Sequence, residues 1–267
     1  MNSIELARST RISALKIVTR AKASHIASAL SICDILGVLY SDIMNYSINQ
    51  TNRVDRDRFI LSKGHSCVAL YAVLAEVGFF NKNELLSYGQ DFSVFMNHVS
   101  HHVPGVEFST GSLGHGLPFA AGKAMLAKTT GANWKTFVML SDGELDEGSN
   151  WEALMFAGHH KLNNLVAIID YNKLQSLTTT DETLTLEPLV DKLRSFNWET
   201  LRVDGHNHQA LREALTAVTN LEDKPLVIIA DTTKGKGVSF MEDKVEWHYK
   251  SPTNTELELA MNEIQNA

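Results

Sequence analysis

The stretch VMLSDGELDEGSNWEA, residues 138–153, places Asp142, Glu144, Asp146, Glu147 and Glu152 directly after an apolar run. Asp142 stands where that run would end as a strand. Gly143 follows it, which permits a sharp turn and brings a bare N–H close to a ligand. Asn172 closes a second apolar run, LVAIIDYN. A carboxylate, an amide oxygen and a nearby main-chain carbonyl are hard donors that suit Mg2+ or Ca2+. Mg2+ commonly completes its shell with phosphate oxygens, so an incomplete protein cage implies a diphosphate. The competing reading of the acidic run is a solvated face with helix-start charges, and it is the one taken for Glu144, Asp146 and Glu152.

Histidine is the second chemical theme. The chain holds 11 of them, and imidazole is the side chain most readily tuned to gain or lose a proton near neutral pH. His98, His101 and His102 cluster in NHVSHH. No cysteine or acidic residue joins them at zinc-ligand spacing, so His101 and His102 are assigned to surface or packing. His159 and His160 lie within the helical pattern MFAGHHKL and read as structural. GHSCV (64–68) has the outline of a nucleophile elbow, but Val68 stands where glycine is needed. Residues 111–116 read G-x-x-G-x-G, which is not the dinucleotide fingerprint.

These groups need a scaffold. Residues 3–21 carry apolar positions at helical spacing, and further helices are expected over 28–46, 66–79 and 116–128. RFILSKG (58–64) reads as a short buried strand. Beyond it, strands at 135–142, 164–172, 199–205 and 224–233 alternate with helices at 149–162, 187–195 and 208–220. Short continuous apolar strands alternating with helices indicate an α/β fold, a parallel sheet covered by helices on both faces. In such sheets ligands bind beyond the carboxyl ends of the strands. SDGELDEG, DYNKLQS and TTKGKG each follow a strand, so three polar loops are expected to converge on one edge.

Composition narrows the class. With 267 residues, 44% hydrophobic and 21% charged, the chain resembles an ordinary globular protein. No linker, repeat or low-complexity tract divides it, and a single domain over 1–267 is expected. A net charge of −7 argues against a nucleic-acid partner. No run is read as approaching the ~18 apolar residues that span a bilayer, so no membrane is expected. The N-terminus lacks the apolar core of a signal peptide. Cys33 and Cys67 form neither a framework nor a CxxC, and a reducing cytoplasm is the default location.

RDRFILSKGHS, PGVEFSTGSLGHGLPFAAGKA, SDGELDEGSNWEA, LVAIIDYNKLQS and TTKGKGVSFME with a following WH occur in this order. Together with the DG…N pair at two strand ends, they resemble the N-terminal, thiamine diphosphate-binding half of transketolase. The resemblance covers nearly the whole chain. It implies that Asp142, Asn172 and the main-chain carbonyl of Leu174 ligate the metal and that Gly143 touches the diphosphate. Ser28, His65, Lys234 and His248 match positions beside the diphosphate or thiazolium. Gly111, Ser112 and Leu113 match the loop against the aminopyrimidine. His25, His98 and His248 match histidines that line the substrate channel, and Glu147 matches an acid in a network across the subunit interface.

The resemblance further implies ketol transfer from a ketose, usually phosphorylated, to an aldose. Departures are visible. SHIA (Ser24–Ala27) stands where the family usually has Gly-His-Pro-Gly, and Ser141 replaces a common glycine. The pyrimidine-binding and C-terminal domains are not in the sequence. Their expected place is a partner chain, the C-terminal transketolase subunit, in an α2β2 heterotetramer. Alternatives are a deoxyxylulose-phosphate synthase-like component, a 2-oxoacid decarboxylase component and a non-catalytic regulatory subunit.

Overall fold

Helix α1 (Ser3–Ala21) starts as its cap residues dictate: Asn2 accepts from Glu5 N and the Glu5 carboxylate accepts from Asn2 N. The computed structural model describes residues 1–48 and 53–266. Within it, the helix expected over 28–46 is broken into α2 (Ile26–Leu30), α3 (Cys33–Val38) and one wider turn, Leu39–Ile43. The break falls at Ser31, whose hydroxyl lies 2.8 Å from Asp170 Oδ2 and 3.0 Å from Ser28 O. Next come β1 (Arg58–Leu61), α4 (Cys67–Glu76) and α5 (Gly116–Thr130). The alternating part runs β2 (Thr136–Ser141), α6 (Gly148–His159), β3 (Leu165–Tyr171), α7 (Thr180–Thr183), α8 (Leu189–Ser195), β4 (Glu199–Asp204), α9 (His208–Thr216) and β5 (Leu226–Asp231). A final helix, α10 (Asn254–Asn266), packs on α1 through Ala260 and Ile264. It was not anticipated, although its apolar residues stand at helical spacing.

All five strands pair in parallel, in the order β1-β2-β3-β5-β4. Along β2, Phe137 and Met139 enter one apolar cluster while Val138 and Leu140 enter another. That split is the two-residue period of a strand with helices on both sides, and it explains the continuous apolar runs. The first cluster is filled by α1 to α4, α9 and α10, the second by α5, α6 and α8. Strand β4 is one of the two edges, and its burial alternates.

One expectation is overturned. The 18 residues Ile26–Ile43 have a mean hydropathy of 1.6 and are long and apolar enough to cross a membrane, but 83% of the stretch is buried inside the fold. A helix apolar on all sides can be a core helix, and this one lies within the first cluster.

Close packing sets a first prediction. At Gly158 of α6 an added Cβ would come within 1.8 Å of Phe196 O, a backbone atom that cannot rotate away. Gly158→Ala is expected to cost about 3 kcal/mol or more, the top of the usual overpacking range. Thermal unfolding measures it, and an unchanged midpoint would refute the close approach.

Candidate functional site

Because β2, β3 and β5 are adjacent and parallel, the loops leaving them meet at one edge of the sheet. Asp142 leaves β2 as the cap of a 3-10 turn and is 2% exposed. Its Oδ1 accepts from Gly143 N at 2.7 Å and its Oδ2 from Lys173 N at 2.5 Å, so the carboxylate bridges two loops. Asn172 leaves β3 and accepts from Leu174 N at 3.1 Å through Oδ1. Lys234 leaves β5 fully buried, and its ammonium donates to Leu174 O (3.0 Å), Gln175 O (2.9 Å) and His248 Nδ1 (3.1 Å). Between them lies a cavity of about 250 Å3, also lined by Gly143, Ser28, His65 and Leu113.

Electrostatics follow from burial. The Asp142 carboxyl is pushed up to about 7 by desolvation and then by the nearby Asp170. Lys234 is pulled down to about 8 by burial and by the charge of Lys63, with Asp142 and Asp170 opposing. Two buried ammonium groups beside one cavity favour an anion, while Asp142, the Asn172 amide and the Leu174 carbonyl are hard oxygen donors for a divalent cation. At Gly143 a Cβ would stand 3.0 Å from Gln175 Cγ, so a larger residue there would have to displace the Gln175 side chain. The donor set therefore fits a diphosphate with its cation. The Leu174 carbonyl already accepts from Lys234 and retains a second lone pair.

Four of the histidines singled out in the sequence are brought together. The His25 ring lies 5.3 Å from His65, 6.0 Å from His98 and 5.0 Å from His248, centroid to centroid. His25 itself has a left-handed backbone (φ 69) and donates its N–H to His248 O at 2.9 Å. SHIA thus heads α2 with the imidazole in the cluster, despite the missing proline. Burial lowers His25 to about 4, with His98 and Lys234 adding, and lowers His248 to about 3, with Lys234 and His25 adding. Burial also carries His65 well below its ordinary value. The His25, His65 and His248 imidazoles are neutral at pH 7, each with one donor and one acceptor nitrogen.

The remaining expected residues sit at the margin. Gly111 lies against His98, its would-be Cβ 3.3 Å from the ring, and Ser112 is exposed. Neither lines the cavity, whereas Leu113 does. Glu147 caps α6 and is exposed. His101 and His102 are exposed, with His101 Nδ1 2.7 Å from Ser109 Oγ, and no metal-binding cluster of His, Cys, Asp or Glu occurs among the described residues. His159 and His160 close α6 at the surface instead of lying within it. Ser66, the serine of GHSCV, is buried and donates to Ser28 O at 2.9 Å.

Glu144 contradicts its expected place on a solvated face. It is completely buried and accepts from the Ser62 hydroxyl, from Gly114 N at 3.0 Å and from Ser141 N at 3.3 Å. It thereby ties the ends of β1 and β2 to the loop carrying Gly111–Leu113. Asp146 and Glu152 are exposed as expected, and Asp146 accepts from Gln175 Nε2 at 2.9 Å. Sequence reading also missed Lys63 and Asp170, a fully buried ion pair. Lys63 donates to Ser28 O at 3.0 Å as well. Asp170 accepts from Ser31, Thr232 and, at 3.2 Å, from Asn172 Nδ2. That last bond fixes the Asn172 amide with its oxygen turned to Leu174 N, and one lone pair of that oxygen remains. The available signal was Lys63 inside RFILSKGHS and Asp170 inside LVAIIDYN, an acid in an otherwise apolar strand.

Known proteins resemble this chain in sequence and in fold. Residues 3–263 match the family model described as transketolase, thiamine diphosphate binding domain. The chain is 41% identical over 250 residues to one of the subunits of apulose-4-phosphate transketolase from Phocaeicola vulgatus, covering 94% of this chain and 89% of that protein. It is 37% identical over 242 residues to 6-deoxy-6-sulfo-D-fructose transketolase subunit SqwG of a Clostridium species, covering 90% and 88%. The solved transketolase of Leishmania mexicana superposes with a TM-score of 0.93 at 29% identity. That match covers 99% of this chain but only 41% of the Leishmania chain, so the protein spans about two fifths of the solved enzyme's length.

Proposed function

This chain belongs to the transketolase thiamine diphosphate-binding domain family, and from that premise we propose that it is the diphosphate-binding subunit of a two-component transketolase. The assembled enzyme transfers a two-carbon ketol unit from a ketose to an aldose. The observation that carries this reading is the meeting of Asp142, Asn172 and Lys234 in one buried cavity beside four clustered histidines. Asp142, Asn172 and the Leu174 carbonyl hold Mg2+, and Gly143, Ser28, His65, Lys234 and His248 hold the diphosphate. The thiazolium of the coenzyme supplies the carbanion chemistry.

The chain's own residues bind, orient and move protons. His25, His98 and His248 accept or donate protons at sugar hydroxyls, and the lowered basicity of His25 and His248 keeps those two uncharged at working pH. Glu147, exposed at the head of α6, joins the acid network at the interface between subunits. The loop of Gly111, Ser112 and Leu113, tethered by Glu144, meets the aminopyrimidine at the edge shared with the partner. The pyrimidine-binding and C-terminal domains reside on that partner, in an α2β2 assembly. Both relatives described above are named as transketolases of a sugar bearing a phosphate or a sulfo group, so an anionic ketose is the expected donor class. The two buried free thiols, Cys33 and Cys67, suit a reducing cytoplasm.

The test is turnover of sugar phosphates by the purified chain with thiamine diphosphate and Mg2+, before and after adding its C-terminal partner. Activity is expected only with the partner. Robust turnover by the chain alone would overturn the two-component reading.

A further inference from the structure

The loop that carries Lys234 is gripped by a second buried cluster, whose members line a separate cavity of about 320 Å3. At its centre is Asp34 of α3, 6% exposed. Asp34 accepts from Arg11 of α1 through both terminal nitrogens (3.0 and 2.5 Å), from His206 Nδ1 (2.7 Å) and from His208 Nε2 (3.1 Å). His206 has one assignable tautomer: Nε2 accepts from Thr233 N at 2.8 Å, so the proton sits on Nδ1 and is donated to Asp34. Arg11 Nε donates to Lys236 O at 3.2 Å.

Thr233 N and Lys236 O bracket Lys234 and Gly235. Gly235 is at φ +84, and a Cβ there would lie 2.5 Å from Met241 O, so this backbone course is closed to ordinary residues. A loop in so restricted a conformation needs external holding points, and Asp34 supplies two of them through His206 and Arg11. His208 touches the same carboxylate, and none of its hydrogen bonds described above reaches the loop.

We propose that Asp34, His206 and Arg11 form a positioning cluster that fixes where the Lys234 ammonium stands and so sets the chain's affinity for a diphosphate. The proposal rests on the cavity beside Lys234 being the diphosphate site. It adds residues that do not line that cavity.

The experiment compares His206→Ala with His208→Ala in the full chain assembled with its partner. Hydrogen–deuterium exchange of the peptide over 232–237 is read without ligand. His206→Ala is expected to exchange about tenfold faster there, the effect of losing one hydrogen bond into an ionic network, while His208→Ala matches the parent. Titration with thiamine diphosphate at saturating Mg2+ should show about tenfold weaker binding for His206→Ala and an unchanged kcat once the coenzyme saturates. His206→Gln, whose amide oxygen can still accept from Thr233 N, should recover part of the affinity. Equal exchange and affinity in the two alanine variants would reduce the cluster to a structural role and overturn the proposal. If the parent binds no thiamine diphosphate, the diphosphate reading fails and takes the affinity claim with it. Slow exchange in His206→Ala beside a normally binding parent defeats the grip alone.

Discussion

Asp142→Ala is expected to abolish Mg2+-dependent binding of thiamine diphosphate, weakening it at least about 100-fold. Loss of a group supporting a metal ligand already costs roughly 10–100-fold, and Asp142 is the only charged donor in the proposed set. Calorimetric titration with the partner present measures this, and unchanged affinity would remove Asp142 from the metal site. The same carboxyl sets a pH dependence. Its proton leaves only near pH 7, because burial and Asp170 raise it to about 7. Cation binding requires the carboxylate, so affinity should fall by up to about tenfold per pH unit below that value. Stability without the cation moves the other way. A raised carboxyl contributes fully below its unfolded value of about 3.9, and the contribution disappears as pH rises through about 7. Asp142→Ala should remove both trends.

The second large effect concerns the buried ion pair beside the Asp142 cavity. Lys63→Met leaves Asp170 wholly buried without its counter-charge, and breaking a buried pair from one side costs about 3–5 kcal/mol. For a chain of this size that is a fall in melting temperature of roughly 10 °C. Lys63→Met combined with Asp170→Asn should recover much of the loss, because the uncharged amide still accepts from one of the Ser31 and Thr232 hydroxyls and donates to the other. A single variant within 1 kcal/mol of the parent, a bound set well below the expected cost of an uncompensated buried charge, would show the pair to be electrostatically idle. Burial alone would raise the Asp170 carboxyl, but Lys63 and the hydroxyl donors hold it below its ordinary value. Its contribution to stability is therefore present above about pH 4 and lost as pH falls further.

Much of this molecule is written locally. The strands were readable because residues such as 165–169 are apolar on both sides of the pleat, which only a sheet covered on both faces requires. Asp142 and Asn172 were readable because each interrupts such a run at its end, where a polar residue has little reason to sit unless it meets a ligand. Ile26–Ile43 shows the opposite limit, since local hydropathy does not distinguish a membrane from a protein core.

Glu144 shows why the rest was hidden. It shares its acidic surroundings with Asp146 and Glu147, and nothing within residues 138–153 says that Gly114 and Ser62 will close over it. The sheet order is of the same kind. The fifth strand inserts between the third and the fourth, and only that insertion brings Lys234 beside Leu174 and His248.

From its amino acids alone, most of this protein's elements, its parallel sheet and the carboxylate and amide at two strand ends were legible, because side-chain periodicity acts over a few residues. Tertiary structure decided which polar groups are buried together: Lys63 with Asp170, Glu144 with Ser62, Asp34 with His206. A buried polar group is tolerated only when a partner meets it, and these partners arrive from distant parts of the chain.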